Sequence, residues 1–340
     1  MQKRFDIHGL AASVSGWAEV VEAVRLDFAW FERPAEHRPR RGLEIVVERR
    51  PPAFDGFGDV PASFVTPRNV VFQQDGNTIV DYFGRALSVF DREAGHLLVQ
   101  GEDEHLVHEA VYQFLVSRAG EHLDAKGMPR LHGLGLVGAQ GAVALLLPSG
   151  GGKSTLALRA LNEDGVKLLS EDSPLLDRRG WLHPFPLRIG VNETDAALVA
   201  HEHVRRIERM EFQPKLVLDV SAFAERIEAA PQPLRHLVVG RRSLGRTARL
   251  EPVPRRDAIG VLFREAVVGV GIYQGMEFVL QRGMRDVVTK LDAFFTRSVC
   301  CAAALRKAHV WRLVLGRDFE QNWLALRPLL KPGRAVPTPS

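Results

Sequence analysis

Cysteine is nearly absent from this chain of 340 residues, Cys300 and Cys301 being the only two. Adjacent cysteines close a disulfide only with backbone strain, so the pair reads as buried thiols at the end of a helix, suited to a reducing compartment. No apolar run approaches the ~18 to 20 residues of a membrane span. The opening MQKRFDIHGLAASVSGW is broken by Asp, His, Gly and Trp too early for a signal peptide. A cytoplasmic protein with no membrane role is expected. An excess of one charge is also missing: 45 basic against 41 acidic side chains leave a net charge of +4. The arginine pairs in RPRR, VRRIER and PRRD lack interleaved aromatics, which makes nucleic acid a poor partner. Absent too are the H-E-x-x-H and Cys/His spacings of zinc sites, a G-x-S-x-G elbow and any internal repeat. His105 with His108, and His201-Glu202-His203, therefore read as exposed helix or loop residues and not as metal ligands.

Apolar residues at 46% and charged residues at 25% are the mix of a globular chain, and the length suits two domains with cores of their own. Residues 1–105 read as a β-rich unit with one early helix in GWAEVVEAVRLDFAWF. The Asp-Gly of NVVFQQDGNTIVDYF, between alternating apolar positions, is a hairpin signal. Leu106, Val107, Ala110, Val111, Phe114 and Leu115 then recur at helical spacing, predicting a helix that bridges to a second unit over 106–330. That unit alternates strand-like and helix-like text, an α/β pattern. The residues 331–340 carry turn formers without periodicity and predict a disordered tail.

The second unit contains VALLLPSGGGKSTLALRAL, a strand entering a glycine-rich turn and leaving as a helix. A phosphate chain needs several backbone N–H groups converging on one point, and glycines permit this because they accept positive φ and carry no side chain. Ser149, Gly150, Gly151 and Gly152 form the candidate cradle. Lys153 would bring its ammonium to the β- and γ-phosphates, Ser154 a hydroxyl to magnesium, and Thr155 a secondary contact, all at the positive end of a helix. The strict pattern G-x-x-x-x-G-K-[ST] departs only at Leu147. Magnesium also needs a carboxylate at the end of a neighbouring strand. Glu171-Asp172, closing VKLLSED, can divide two tasks, one acid holding the metal and one accepting a proton from an attacking hydroxyl. Asp219, in KLVLDV, is a second candidate for the metal.

These residues resemble those of the HPr kinase/phosphorylase family and its HPr-kinase-like serine kinases. His132-Gly133 opens HGLGLVGAQGAVALLL, Ser149-Gly150 and Gly152-Lys153-Ser154 match the loop, and Gly165 a glycine beyond the helix. Glu171-Asp172 fall where that family has paired aspartates, with one extra residue in the helix-to-strand link. The resemblance covers roughly residues 130 to 270. It implies a P-loop kinase core of the type shared with ATP-dependent phosphoenolpyruvate carboxykinases, following an N-terminal β-rich α+β domain. It further implies ATP and Mg2+ as cofactors, and a small protein or peptide with an acceptor hydroxyl as partner. His132 would lie near the transferred phosphate, and Arg188 and Lys215 are carried over as phosphate or substrate contacts. The L-E-I-R-G type stretch of true HPr kinases is missing, which argues against HPr itself as substrate; a homo-oligomer is compatible with the resemblance. An ATP-binding sensor or adaptor, or a simple NTPase, is the alternative, with Glu171 in place of aspartate marking lost transfer chemistry.

Overall fold

A computed structural model describes residues 1–34, 42–148, 150–192, 195, 199, 201–208, 210, 213–268 and 284–331, leaving aside the side chains of 201, 268 and 284–290. Ser149 and the tail beyond Lys331 lie outside the described residues. The chain is mixed α/β. In chain order its first unit runs β1 (Gln2–Ile7), β2 (Leu10–Gly16), α1 (Ala18–Asp27), β3 (Glu32–Arg33), β4 (Leu43–Arg49), β5 (Phe64–Val65), β6 (Val70–Gln74), β7 (Asn77–Asp81), β8 (Ala86–Asp91), β9 (His96–Gly101) and α2 (Glu104–Ala125). These strands form one nine-stranded sheet, ordered β3-β1-β2-β4-β9-β8-β7-β6-β5. The β6–β7 turn is the expected Asp-Gly hairpin, with Asp75 and Gly76 both at positive φ (50° and 81°).

The helix expected from Leu106 is α2, capped by the Asp103 carboxylate on Leu106 N at 3.1 Å. Val107, Val111, Phe114 and Leu115 are buried in one core with Ile45, Val99 and Phe90 of the sheet. The boundary placed at 105/106 thus falls where a helix begins whose apolar side chains belong to the first core.

Beyond α2 come β10 (Leu134–Gly138), β11 (Gly141–Leu146), α3 (Lys153–Leu161), β12 (Lys167–Ser170), β13 (Leu175–Leu176), β14 (Trp181–His183), β15 (Ile189–Val191), β16 (Val204–Ile207), β17 (Lys215–Leu218), β18 (Gln232–Arg242), β19 (Arg249–Pro252), α4 (Arg256–Leu262), a π-helical turn (Phe263–Val268), α5 (Met284–Lys307), β20 (His309–Leu315) and α6 (Phe319–Leu326). Strands β15, β17 and β16 make a small sheet, and the others an eight-stranded one ordered β12-β10-β11-β18-β14-β13, with β20 also on β18 and β19 on β20.

The near-continuous apolar text of β11 reflects burial on both faces. Val143 and Leu145 face a core with α3, α6 and the small sheet, while Ala142, Ala144 and Leu146 face a second core with α4 and α5. Cys300 and Cys301 lie in that second core as free thiols. Burial pushes both up to about 12, so they stay protonated at neutral pH.

A buried charge cluster joins the two units. Asp27, at the end of α1 and fully buried, accepts from His108 Nε2 and Arg188 Nη1, each at 2.8 Å, and pairs with Arg205. Arg188 also reaches Glu109 at 3.3 Å and stacks over Tyr112, 4.0 Å from the ring centroid. Arg205 binds Asp219 at 2.6 Å. His108 is therefore buried and not exposed as its sequence context suggested, because α1 closes over it; His105, one turn earlier, is exposed. Burial alone would raise the Asp27 pKa, but the charges of Arg188, His108 and Arg205 outweigh it and hold the carboxyl well below the ordinary range.

Removing one member of a buried ion cluster strands the others. Asp27→Asn is expected to lower unfolding free energy by about 3 to 5 kcal/mol at pH 7, measured from urea midpoints. Because the folded-state pKa is depressed, this contribution is complete above the unfolded value of about 4 and is lost below it. The gap between wild type and variant must therefore narrow as pH falls below about 4; a gap that widens there would contradict the ion-cluster account.

Candidate functional site

Strand β10 is antiparallel to β11 and also to β12, with Leu134 opposite Leu145 and Gly135 opposite Ser170. The start of β10 consequently sits beside the ends of both neighbours. His132-Gly133 precede β10, the glycine loop follows β11 and Glu171-Asp172 follow β12, so three segments far apart in sequence meet at one corner. Gly133 N donates to Asp172 O at 3.1 Å, locking two of them together.

The loop turns through Gly150 (φ 71°) and Gly152 (φ 105°), and Gly152 caps α3 from the left-handed region. A side chain there would be strained. The N–H groups of Lys153, Ser154 and Thr155, in the first turn of α3, have no intrahelical acceptor and constitute the donor end of the helix.

Leu147, the departure from the glycine pattern, is 1% exposed and packs into the core beneath α3. Space for it comes from Gly240 on β18, the parallel neighbour of β11. A Cβ on Gly240 would lie 2.8 Å from Leu147 Cγ and closer still to Cδ2. A leucine replaces the usual glycine here because another glycine faces it.

Lys153 is buried, and its ammonium meets three acceptors: Leu147 O at 3.1 Å, His132 Nε2 at 2.9 Å and Asp172 Oδ1 at 3.2 Å. His132 Nε2 is also 3.2 Å from Asp172 Oδ1. On the other side of the ring, His132 Nδ1 lies 2.6 Å from Glu265 Oε2. Nδ1–H donates to Glu265, while Nε2 accepts from Lys153 when the ring is neutral and donates to Asp172 when it is protonated. Burial depresses the His132 pKa, but hydrogen bonding and charge from Asp172, together with Glu265, outweigh it and raise it above the ordinary value.

The two acids are driven apart. Glu171 accepts from Ser154 Oγ at 2.6 Å, and burial followed by the charge of Asp172 lifts its pKa. Burial acts the same way on Asp172, yet His132 and Lys153 together prevail and lower it. Adjacent carboxyls with opposed shifts suit separate roles.

The other sequence candidates divide. Thr155 gives its hydroxyl to Asp195 at 2.7 Å, inside the fold, which leaves only its N–H for the loop. Lys215, on β17, runs past Gly190 and lies close enough to Glu171 for its charge to lower that pKa. Arg188 is a correction: it belongs to the Asp27 cluster and not to the loop. Asp219 is engaged by Arg205, and it is Glu171 that meets Ser154. The pair His203 and Glu202 is a 3.7 Å contact between chain neighbours, and among the described residues no three His, Cys, Asp or Glu side chains are grouped to hold a metal.

Two participants were missed. Glu265 is 3% exposed on the π-helical turn, and it holds His132 twice, through its carboxylate and through its carbonyl on His132 N at 3.0 Å. Its signal was an acid between Leu262 and Ala266 on the apolar face of LFREAV; π turns are frequent at functional sites. Arg242, at the end of β18, donates Nε to Gly151 O at 3.2 Å and stacks over Phe319 at 5.4 Å. Its signal was the end of a strand parallel to β11, the edge where open α/β sheets bind ligands. No protein-family model and no curated protein matches the chain.

The Leu147–Gly240 pairing gives a direct test. Gly240→Ala overpacks a closed core and is expected to destabilise by about 1 to 3 kcal/mol. Adding Leu147→Ala should recover part of that loss, giving a favourable coupling in a double-mutant cycle. Additive losses would mean that the two residues do not share the space.

Proposed function

We propose that the chain is an ATP- and magnesium-dependent kinase of the HPr-kinase-like type, with a P-loop core, transferring the γ-phosphate to a serine or other hydroxyl of a small protein or peptide. The observation that carries this reading is the corner itself: Lys153, His132 and Asp172 lie within 3.2 Å of one another beside a glycine loop and a helix N-terminus. A loop that only bound phosphate would need the lysine and the N–H groups. A carboxylate held ionised beside the lysine adds a group able to take a proton from an incoming hydroxyl.

Ser154 and Glu171 present oxygen donors at the loop, the ligand type hard cations require, and magnesium needs only one or two protein ligands when phosphates and water supply the others. Ser154 and Glu171 would hold magnesium, which when bound would supply positive charge to offset the negative charge of the phosphates. Lys153 would exchange Leu147 O, His132 and Asp172 for phosphate oxygens. Asp172 would then lose one of the two groups that depress its pKa and become a stronger base, still oriented by the other, His132. His132, fixed from behind by Glu265, would hold that carboxylate in place. Arg242 and Lys215 add positive charge at the rim, where transition-state charge is stabilised.

Incubation with γ-labelled ATP, magnesium and candidate acceptor peptides tests the reading. Wild type should label an acceptor hydroxyl. Asp172→Asn should lower transfer by about 10² to 10⁴-fold while nucleotide binding persists, and Lys153→Ala should weaken both. Glu265→Gln should lower kcat about tenfold with little change in the KM for ATP, since it acts through His132. Hydrolysis of ATP with no labelled acceptor would instead favour the sensor or NTPase reading, and turnover indifferent to Lys153 and Asp172 would sink the kinase assignment.

A further inference from the structure

Among the described residues, the face of α5 turned away from the core is apolar and uncovered. Thr296, Arg297, Cys300, Cys301 and Ala304 are buried beneath it. On the outer side Leu291, Phe295 and Val299 follow one another at intervals of four, with Phe295 at 63% and Val299 at 52% exposed. Phe294 extends the stripe sideways, 5.9 Å between ring centroids from Phe295 and 6.2 Å from Phe263 on the π turn. Ile259, one turn before Phe263, continues it onto α4 and is itself exposed. Folded monomers rarely leave a contiguous apolar patch larger than a few hundred Å2 open to water.

The ends of the stripe show what fits it. Val299 stands seven positions after Asp292 and seven before Arg306, two helical turns either way. Both charged residues are exposed, and neither has an ion-pair partner among the described residues. A helix with an acid and a base equally spaced about an apolar centre is complementary to itself turned end for end. A two-fold axis through Val299 brings Asp292 against the partner's Arg306, and the reverse. The same register sets the large Phe295 ring opposite the partner's Ala303, with the small, exposed Ala302 beside it. Isologous contacts require this kind of self-matching surface.

We propose that α5 is a homodimer interface, in which two copies of this chain pair antiparallel about Val299 with Phe295, Leu291, Phe294 and Phe263 in the buried centre. A lipid surface would also take up exposed phenylalanines, but it offers no counterpart for alternating charge at the two ends, which a second copy does. The interface would press on the π turn, since Phe263 precedes Glu265, the residue that holds His132, by two positions. Assembly and the catalytic corner would thus share one element, although the dimer does not depend on the kinase reading.

Sedimentation equilibrium and light scattering of the full chain, from about 1 to 100 µM, read the assembly directly. The wild type should be a dimer. Phe295→Asp should weaken association about thirtyfold or more, with unchanged circular dichroism and melting. Asp292→Arg should weaken it about tenfold, and Asp292→Arg combined with Arg306→Asp should restore most of that loss, because each reversed charge again meets its opposite. A wild type that stays monomeric at the highest concentration, an assembly that survives Phe295→Asp, or a double reversal no tighter than Asp292→Arg alone would each overturn the proposal.

Discussion

The direction of β10 is the constraint on which the candidate site depends. Because this strand opposes both β11 and β12, its beginning and their ends share one edge of the sheet. No loop has to reach across the molecule to bring His132, Lys153 and Asp172 together; they arrive with the strands. The corner is then closed from the opposite face by the π turn, whose Glu265 binds His132 through both main chain and side chain. Its position is set by Ala266 and Val267, buried in the same core as Leu146.

Charge balance is the second organising demand. Lys153 is only 7% exposed, and a buried ammonium without partners would shed its proton or distort the fold. Asp172 supplies the opposite charge, and Leu147 O and His132 complete its acceptors. The Asp27 cluster meets the same demand at the junction of the two units, and Tyr112 stands between the clusters. Burial raises the Tyr112 pKa, Arg188 beside it acts in the opposite sense, and the carboxylates of Asp27, Glu109 and Asp172 raise it further. Its phenol thus feels charges of both clusters.

Much of this was legible in the sequence where local pattern decides the outcome. The strand, glycine turn and helix around Lys153 formed as read, as did the Asp-Gly hairpin and α2, because turn chemistry and apolar period are properties of neighbouring residues. Ser149 lies outside the described residues. What escaped reading depends on partners far along the chain. His108 is buried only because α1, some eighty residues earlier, folds over it. Arg188 has the same charge as a phosphate-binding arginine, and only the position of Asp27 shows that it belongs elsewhere. Gly240 appears as an unremarkable residue inside a strand until Leu147 is seen against it. Glu265 went unread, since helical spacing alone does not say which face meets His132.

The same features explain why the loop tolerates leucine where a glycine is usual. A glycine at the first position of such a turn matters for the space and conformation it gives the chain; the converging N–H groups come from the later residues and from the helix. In this chain Leu147 is part of the core, its carbonyl serves Lys153, and the required space is provided by Gly240 on the adjoining strand. Leu147 therefore moves a steric requirement from one strand to its neighbour without removing one of the loop's later N–H donors. On the proposed reading, Lys153 is the mobile element: its ammonium rests on Asp172 and His132 until phosphate oxygens offer stronger, doubly charged partners. Its transfer would couple nucleotide arrival to a rise in the basicity of Asp172, so that the proton acceptor strengthens only when a phosphoryl group is in place. The glycine loop and the acidic pair would then act as one device, connected through a single lysine.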